Sequence, residues 1–175
     1  ELSNQLLLSP RLEFRFSSAW RVRAVGAWRV KRYEDSADRN AFNRYAGLEL
    51  VARPRSGIRW EAGGRYELNA AESDRQTYRR WTWYGGLESP VTRRDRIFFD
   101  LRYRQRQYPY RLVDIPGGPD VPRRDRRLEP ELAWLHTVGD DVELRIGYGF
   151  SGRDSNDPRR DYQSHEVMFS VLQRW

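Results

Sequence analysis

The 175-residue chain contains no cysteine. That absence excludes disulfides and thiolate metal sites, and it leaves cysteine usage silent about redox compartment. Long hydrophobic runs are also missing. No wholly apolar stretch approaches the roughly 18 residues that a transmembrane helix needs. Lysine is nearly absent: all but one of the 32 Lys and Arg residues are arginine, the exception being Lys31. Arginine offers a planar fork that matches carboxylates and phosphates, which lysine cannot. No glycine-rich phosphate loop, metal-spaced cluster or acidic calcium loop appears. No cofactor or metal is therefore expected.

In bulk the chain looks soluble or disordered, with a mean hydropathy of −0.92 and 33% charged residues. Disorder is opposed by 7 Trp and 10 Tyr, residue types in which disordered segments are poor. The charges are also dispersed rather than gathered in blocks. A net charge of +7 points to an anionic neighbour. Basic residues alternate with acids instead of forming one stripe, which argues against nucleic acid. The length suits one domain over residues 1–175. A first residue other than Met leads to the expectation of a processed chain or a piece of a longer one.

The informative signal is a period of two. Leu12, Phe14 and Phe16 alternate with Glu13 and Arg15. Trp20, Val22, Ala24, Gly26, Trp28 and Val30 alternate with Arg21, Arg23, Arg29 and Lys31. Ala46 to Ala52 and Ile58 to Leu68 continue the pattern, opposed by Glu49, Arg53, Arg59, Glu61, Arg65 and Glu67. Trp81 to Leu87 gives a weaker fifth segment. The phase switches across Ser89 to Arg96, after which Ile97 to Tyr103 oppose Asp100, Arg102 and Arg104. Leu128 to Trp134 oppose Glu129 and Glu131, and Val142 to Phe150 oppose Glu143 and Arg145. Val167, Phe169, Val171 and Trp175 end the chain. In these nine segments the apolar face carries no charge. Such alternation is the signature of half-buried strands.

Connections alternate as well. Short links at Ser17 to Ala19, Arg53 to Gly57, Ser89 to Arg96 and His136 to Asp141 take turns with long ones. The long links run Glu34 to Arg44, Asn69 to Arg80, Gln107 to Arg127 and Ser151 to Tyr162. Pro109, Pro116, Pro119 and Pro122 lead to the expectation that the stretch between Gln107 and Arg127 does not pair as a regular strand. It is expected to fold over the outer mouth or dock on a partner.

A soluble sandwich or barrel would bury the apolar face. Two features favour the inverse. Aromatics sit near the segment ends, with Trp20, Trp60, Trp134 and Trp175 at the short-turn side and Tyr66, Trp81 and Tyr103 toward the loops. Aromatic belts belong at membrane–water interfaces. Several Gly and Ala share that face, poor filling for a core but harmless against lipid. The terminal Trp175 after Val167, Phe169 and Val171 resembles the C-terminal signal of Gram-negative outer-membrane β-barrels, with Gln173 departing from the ideal alternation. The resemblance implies an outer-membrane location, contact with lipid and lipopolysaccharide, and insertion by the barrel assembly machinery.

The expectation is an all-β, antiparallel, up-and-down transmembrane barrel of about eight to ten strands in this chain. It would be complete, or the C-terminal part of a larger barrel closed by further strands or another chain. Residues lining its lumen would be Arg15, Arg21, Arg23, Arg29, Arg59, Arg65, Arg102, Arg104 and Arg145 with Glu13, Glu49, Glu61, Glu67, Asp100, Glu129, Glu131 and Glu143. Such a lining suits either a porin-like or export channel for anionic or polar solutes, or a closed structural or surface-interaction barrel plugged by ion pairs. Arg111, Arg123, Arg124, Arg126, Arg127, Arg159 and Arg160 lie in or beside the long links, where forked bonds to lipopolysaccharide phosphates are expected. Catalysis is not expected. His136 has no obvious partner, and the neighbours Ser164, His165 and Glu166 must point to opposite faces of a strand.

Overall fold

A computed structural model describes residues 3–33, 40–54, 57–114, 118–139 and 141–173. It contains one antiparallel sheet of ten strands: β1 (Ser3–Leu8), β2 (Arg11–Arg15), β3 (Trp20–Tyr33), β4 (Ala41–Ala52), β5 (Arg59–Ala71), β6 (Tyr78–Pro90), β7 (Asp95–Val113), β8 (Val121–Val138), β9 (Val142–Ser155) and β10 (Tyr162–Gln173). From β3 onward each strand pairs with the next in sequence. β1 and β2 both pair with β3, end to end, with Leu8 opposite Trp28 and Arg11 opposite Val25. The break falls at Pro10, which cannot donate to a ladder, although its carbonyl still accepts from the Gly26 amide at 3.0 Å. The sheet therefore has nine rows across. It is not closed, because the β1/β2 row and β10 do not pair with each other.

Side chains of turn residues hold several of the connections. The Ser17 hydroxyl accepts from the amides of Ala19 and Trp20, each at 3.2 Å, and fixes the start of β3. Thr92 does the same for Arg94 and Asp95 before β7. At the other end, short 3-10 turns at Asp74–Gln76 and Pro158–Arg160 join β5 to β6 and β9 to β10. Among the described residues no helix is long and apolar enough to cross a membrane, which says nothing about crossing by strands.

The register aligns the alternating segments across every row, including the phase switch before β7. Ala24, Leu48, Gly64, Trp83, Tyr103 and Leu128 are successive cross-strand partners on one face. Leu87, Phe99, Leu132, Tyr148 and Val167 form another such line. Exposure separates the two faces sharply. Leu48 is 62% exposed, Leu132 53% and Phe169 68%. The buried side chains, Ala52 apart, all belong to the opposite, charged face: Val51, Glu67, Thr82, Asp125 and Ala133 are among them. Contacts on that face skip a strand, as when Arg96 of β7 donates to Glu143 of β9 at 3.3 Å. The sheet thus curls with its charged face inward and its apolar face outward.

One expectation needs correction, and two features lie beyond the alternating segments. The stretch between Gln107 and Arg127 does pair: β7 and β8 continue as a tall hairpin, with Tyr108 opposite Arg123 and Val113 opposite Val121. Pro109 is accommodated because the register shifts between Tyr108 and Leu112, leaving it without a cross-strand partner, while Pro122 stands opposite Leu112; Pro116 lies outside the described residues. The strands also outrun the apolar segments. Toward the loops, Arg44, Arg79, Arg124 and Arg126 lie on the apolar face, so that face is uncharged only in its middle band. Finally, residues 3–8, where no alternation is legible, form β1.

The charged concave face as candidate functional site

All seventeen residues expected to line an interior share the concave face by register. Most are held in a lattice of ion pairs. Glu13 contacts Arg15, Arg21 and Arg23, and Arg23 reaches on to Glu49 at 3.6 Å. Arg59 meets Glu61 and Glu88, while Arg96 links Glu88 to Glu143. Arg145 pairs with Glu131 at 2.9 Å. Glu67 is almost fully buried and accepts from Asn43 Nδ2 at 2.7 Å, the Tyr78 hydroxyl at 2.8 Å and Arg80. A buried carboxylate needs such a full set of donors.

Charge on this face is zoned along the strands. In the middle, a cavity of about 500 Å³ is lined by Glu61, Asp100, Glu131 and Glu166 together with Arg102 and Arg127. Asp100 stands directly opposite Glu131, two like charges across one strand pair. Toward the loops arginine takes over, with Arg104, Arg127 and Arg153 as successive partners on β7, β8 and β9. The concave face is therefore zoned rather than evenly mixed, because register gathers acids at mid-height.

The residues expected to meet surface anions divide. Arg123 is buried and donates from Nε and Nη2 to the two carboxylate oxygens of Asp125, at 2.9 and 2.7 Å, while its guanidinium lies 4.8 Å from the Tyr108 ring centre. Arg127 also faces inward, pairing with Glu129 at 2.8 Å. Arg123 is thus a paired strand residue where a loop was expected, and Arg127 lies on the charged face to which its parity assigns it. Arg124 and Arg126 face outward and are exposed. Arg111 rests 5.3 Å from the Tyr108 ring centre. Arg159 and Arg160 are exposed beside Asp157 in the β9–β10 loop. Desolvation opposes ionisation of Asp157, but Arg159 outweighs it and holds the carboxyl below its ordinary range.

On the apolar face, Trp20 and Trp60 meet edge to face at 5.0 Å, and Tyr66 and Trp81 lie 4.5 Å apart toward the loops. Tyr103 stands one register line nearer the middle, opposite Trp83, whose ring lies over Gly64 where a Cβ would meet it at 2.5 Å. Trp134 donates to Asp95 at 3.1 Å and stacks on His136, which bonds Asp95 at 2.8 Å. His136 thus has partners that its sequence neighbours did not reveal. Trp175 lies outside the described residues. His165 shares the apolar face with Tyr148, 2.6 Å from its hydroxyl, while Ser164 and Glu166 point to the other face. Among the described residues no group of His, Asp and Glu could hold a metal ion.

No family model matches the chain, and no curated protein matches it either.

Proposed function

We propose that this sheet is the membrane-spanning wall of an outer-membrane β-barrel that passes polar, chiefly anionic solutes. One observation carries the reading: the apolar face is the exposed one, and the charged face holds the buried side chains. In water that arrangement would leave a wide apolar surface unprotected, whereas soluble monomers rarely expose apolar patches beyond a few hundred Å². Against lipid it is the expected polarity of a barrel strand. Strand length fits as well, since β3 to β10 each hold at least 12 residues, enough for a tilted crossing of about ten.

In a bilayer the β1/β2 row and β10 cannot keep free edges, because unpaired backbone groups find no water there. Closure then comes from further strands of the same protein, from another chain, or from these edges meeting. The loop-end arginines would draw anions in, and Arg102 and Arg127 would carry them past the acids of the middle cavity. A closed, structural barrel is the second reading, favoured by the ion-pair lattice that already ties Glu13, Glu67 and Glu88 to neighbouring arginines. Conductance of the protein in planar bilayers separates the two. Steps with a reversal potential favouring anions support the channel, and a silent but fully inserted protein leaves the structural barrel.

A further inference from the structure

We infer that the loop end of the concave face is a binding site for a small oxyanion of the phosphate or sulfate class. The inference rests on the charged face being the inside of the barrel. The site is a cavity of about 60 Å³ lined by Arg80, Arg104, Arg106, Arg127 and Arg153, with Asp125 as its one carboxylate. That is room for about two water molecules, the size class of a single tetrahedral oxyanion.

Register makes the cluster unusual. Arg80 stands directly opposite Arg106, Arg104 opposite Arg127, and Arg127 opposite Arg153. Like charges directly opposed across strands destabilise a sheet, so three such pairs in one place call for a counter-charge. The protein supplies only part of it. Asp125 is shared between Arg123 and Arg153, and Glu129 is shared between Arg104 and Arg127, at 2.7 and 2.8 Å. Arg80 is tied to Glu67. Among the described residues no carboxylate pairs with Arg106, which donates to the Tyr108 hydroxyl at 2.9 Å. Among the described residues the buried Nε atoms of Arg80 and Arg104 find no hydrogen-bond partner. Unmade donors of this kind are costly, and an oxyanion offers the lone pairs that two guanidinium edges need. A chloride ion would neutralise charge without that geometry.

The test measures the unfolding midpoint of the full chain in detergent micelles against rising inorganic phosphate, sulfate or sodium chloride at one fixed ionic strength. Phosphate and sulfate should raise the midpoint while chloride leaves it flat, since a ligand that binds only the folded state stabilises it by mass action. The double variant R104Q/R127Q should weaken the apparent affinity for phosphate by about tenfold or more. The variant R21Q/R59Q, with the same charge loss elsewhere on that face, should not. If the double variant does not refold, R153K serves instead, keeping the charge but losing the fork, and it too should bind phosphate more weakly. Equal effects of chloride and phosphate, or unchanged phosphate binding in R104Q/R127Q or R153K, would overturn the site. Binding in micelles is independent of conduction. A protein that conducts without binding phosphate sinks the site alone, and one that binds without conducting sinks the channel alone.

Discussion

The phenol of Tyr84 on β6 passes over Gly63 of β5 and donates to Glu49 Oε1 on β4 at 2.5 Å. A Cβ on Gly63 would meet the Tyr84 ring and hydroxyl at 2.6 Å. Gly63→Ala should therefore push the ring aside and leave Glu49 short of a donor, at a cost of about 1–3 kcal/mol. Gly149→Ala is the control, because a Cβ there meets nothing within 4 Å, and it should stay within about 0.5 kcal/mol. Urea titrations of both variants in micelles make the comparison. Equal midpoints would remove the Tyr84 bridge from the account of the interior.

Glu67 supports a second expectation. It is 4% exposed and gathers Asn43, Tyr78 and Arg80. Glu67→Ala leaves Arg80 buried and unpaired, which should cost about 3–5 kcal/mol. The Arg145–Glu131 pair sits in the open trough, with side chains 45% and 37% exposed. Arg145→Ala should cost about 1 kcal/mol or less. Refolding yield and urea midpoint report both, and a Glu67 variant as stable as the Arg145 variant would mean the lattice is not structural.

Charge on the apolar face gives a third test. Leu132 is 53% exposed in the middle of that face, between Phe99 and Tyr148. In water an exposed Leu→Arg change alters stability by no more than about 0.5 kcal/mol. At the middle of a bilayer it costs about 2–4 kcal/mol. Leu132→Arg, measured by reversible unfolding from lipid vesicles, should show the larger cost, while Arg126→Leu at the loop-end rim should show little.

Much of the fold was legible because one physical constraint repeats along the chain. Alternation named the face of the residues inside the nine segments, and the phase change before Ile97 survived in the register. What alternation cannot see is the end of a strand where both faces turn polar. Arg79 and Arg80, or Arg123 to Arg127, read as loop because neither parity is apolar there, yet they pair as regularly as the middle. Pro109 and Pro122 deepened that error, since sequence does not tell a proline at a register shift from one that stops a strand. The interior suffered from a different blindness. Parity puts Arg104, Arg127 and Arg153 on one side, but only the stagger between strands brings them level. Zoning into an acidic middle and a basic loop end lies in the register, and so do the partners of His136.

The most direct test of the account is the accessibility of the two faces in a bilayer. Spin labels at Leu48, Leu132 and Ile146 lie on the exposed apolar face, and labels at Glu49, Glu131 and Arg145 lie on the concave one. In lipid vesicles the first three should relax with oxygen and escape a water-soluble nickel reagent, while the second three should do the opposite. Concave-face labels buried in lipid, or apolar-face labels open to the aqueous reagent, would contradict a membrane wall and point to a sheet that covers its apolar face in water.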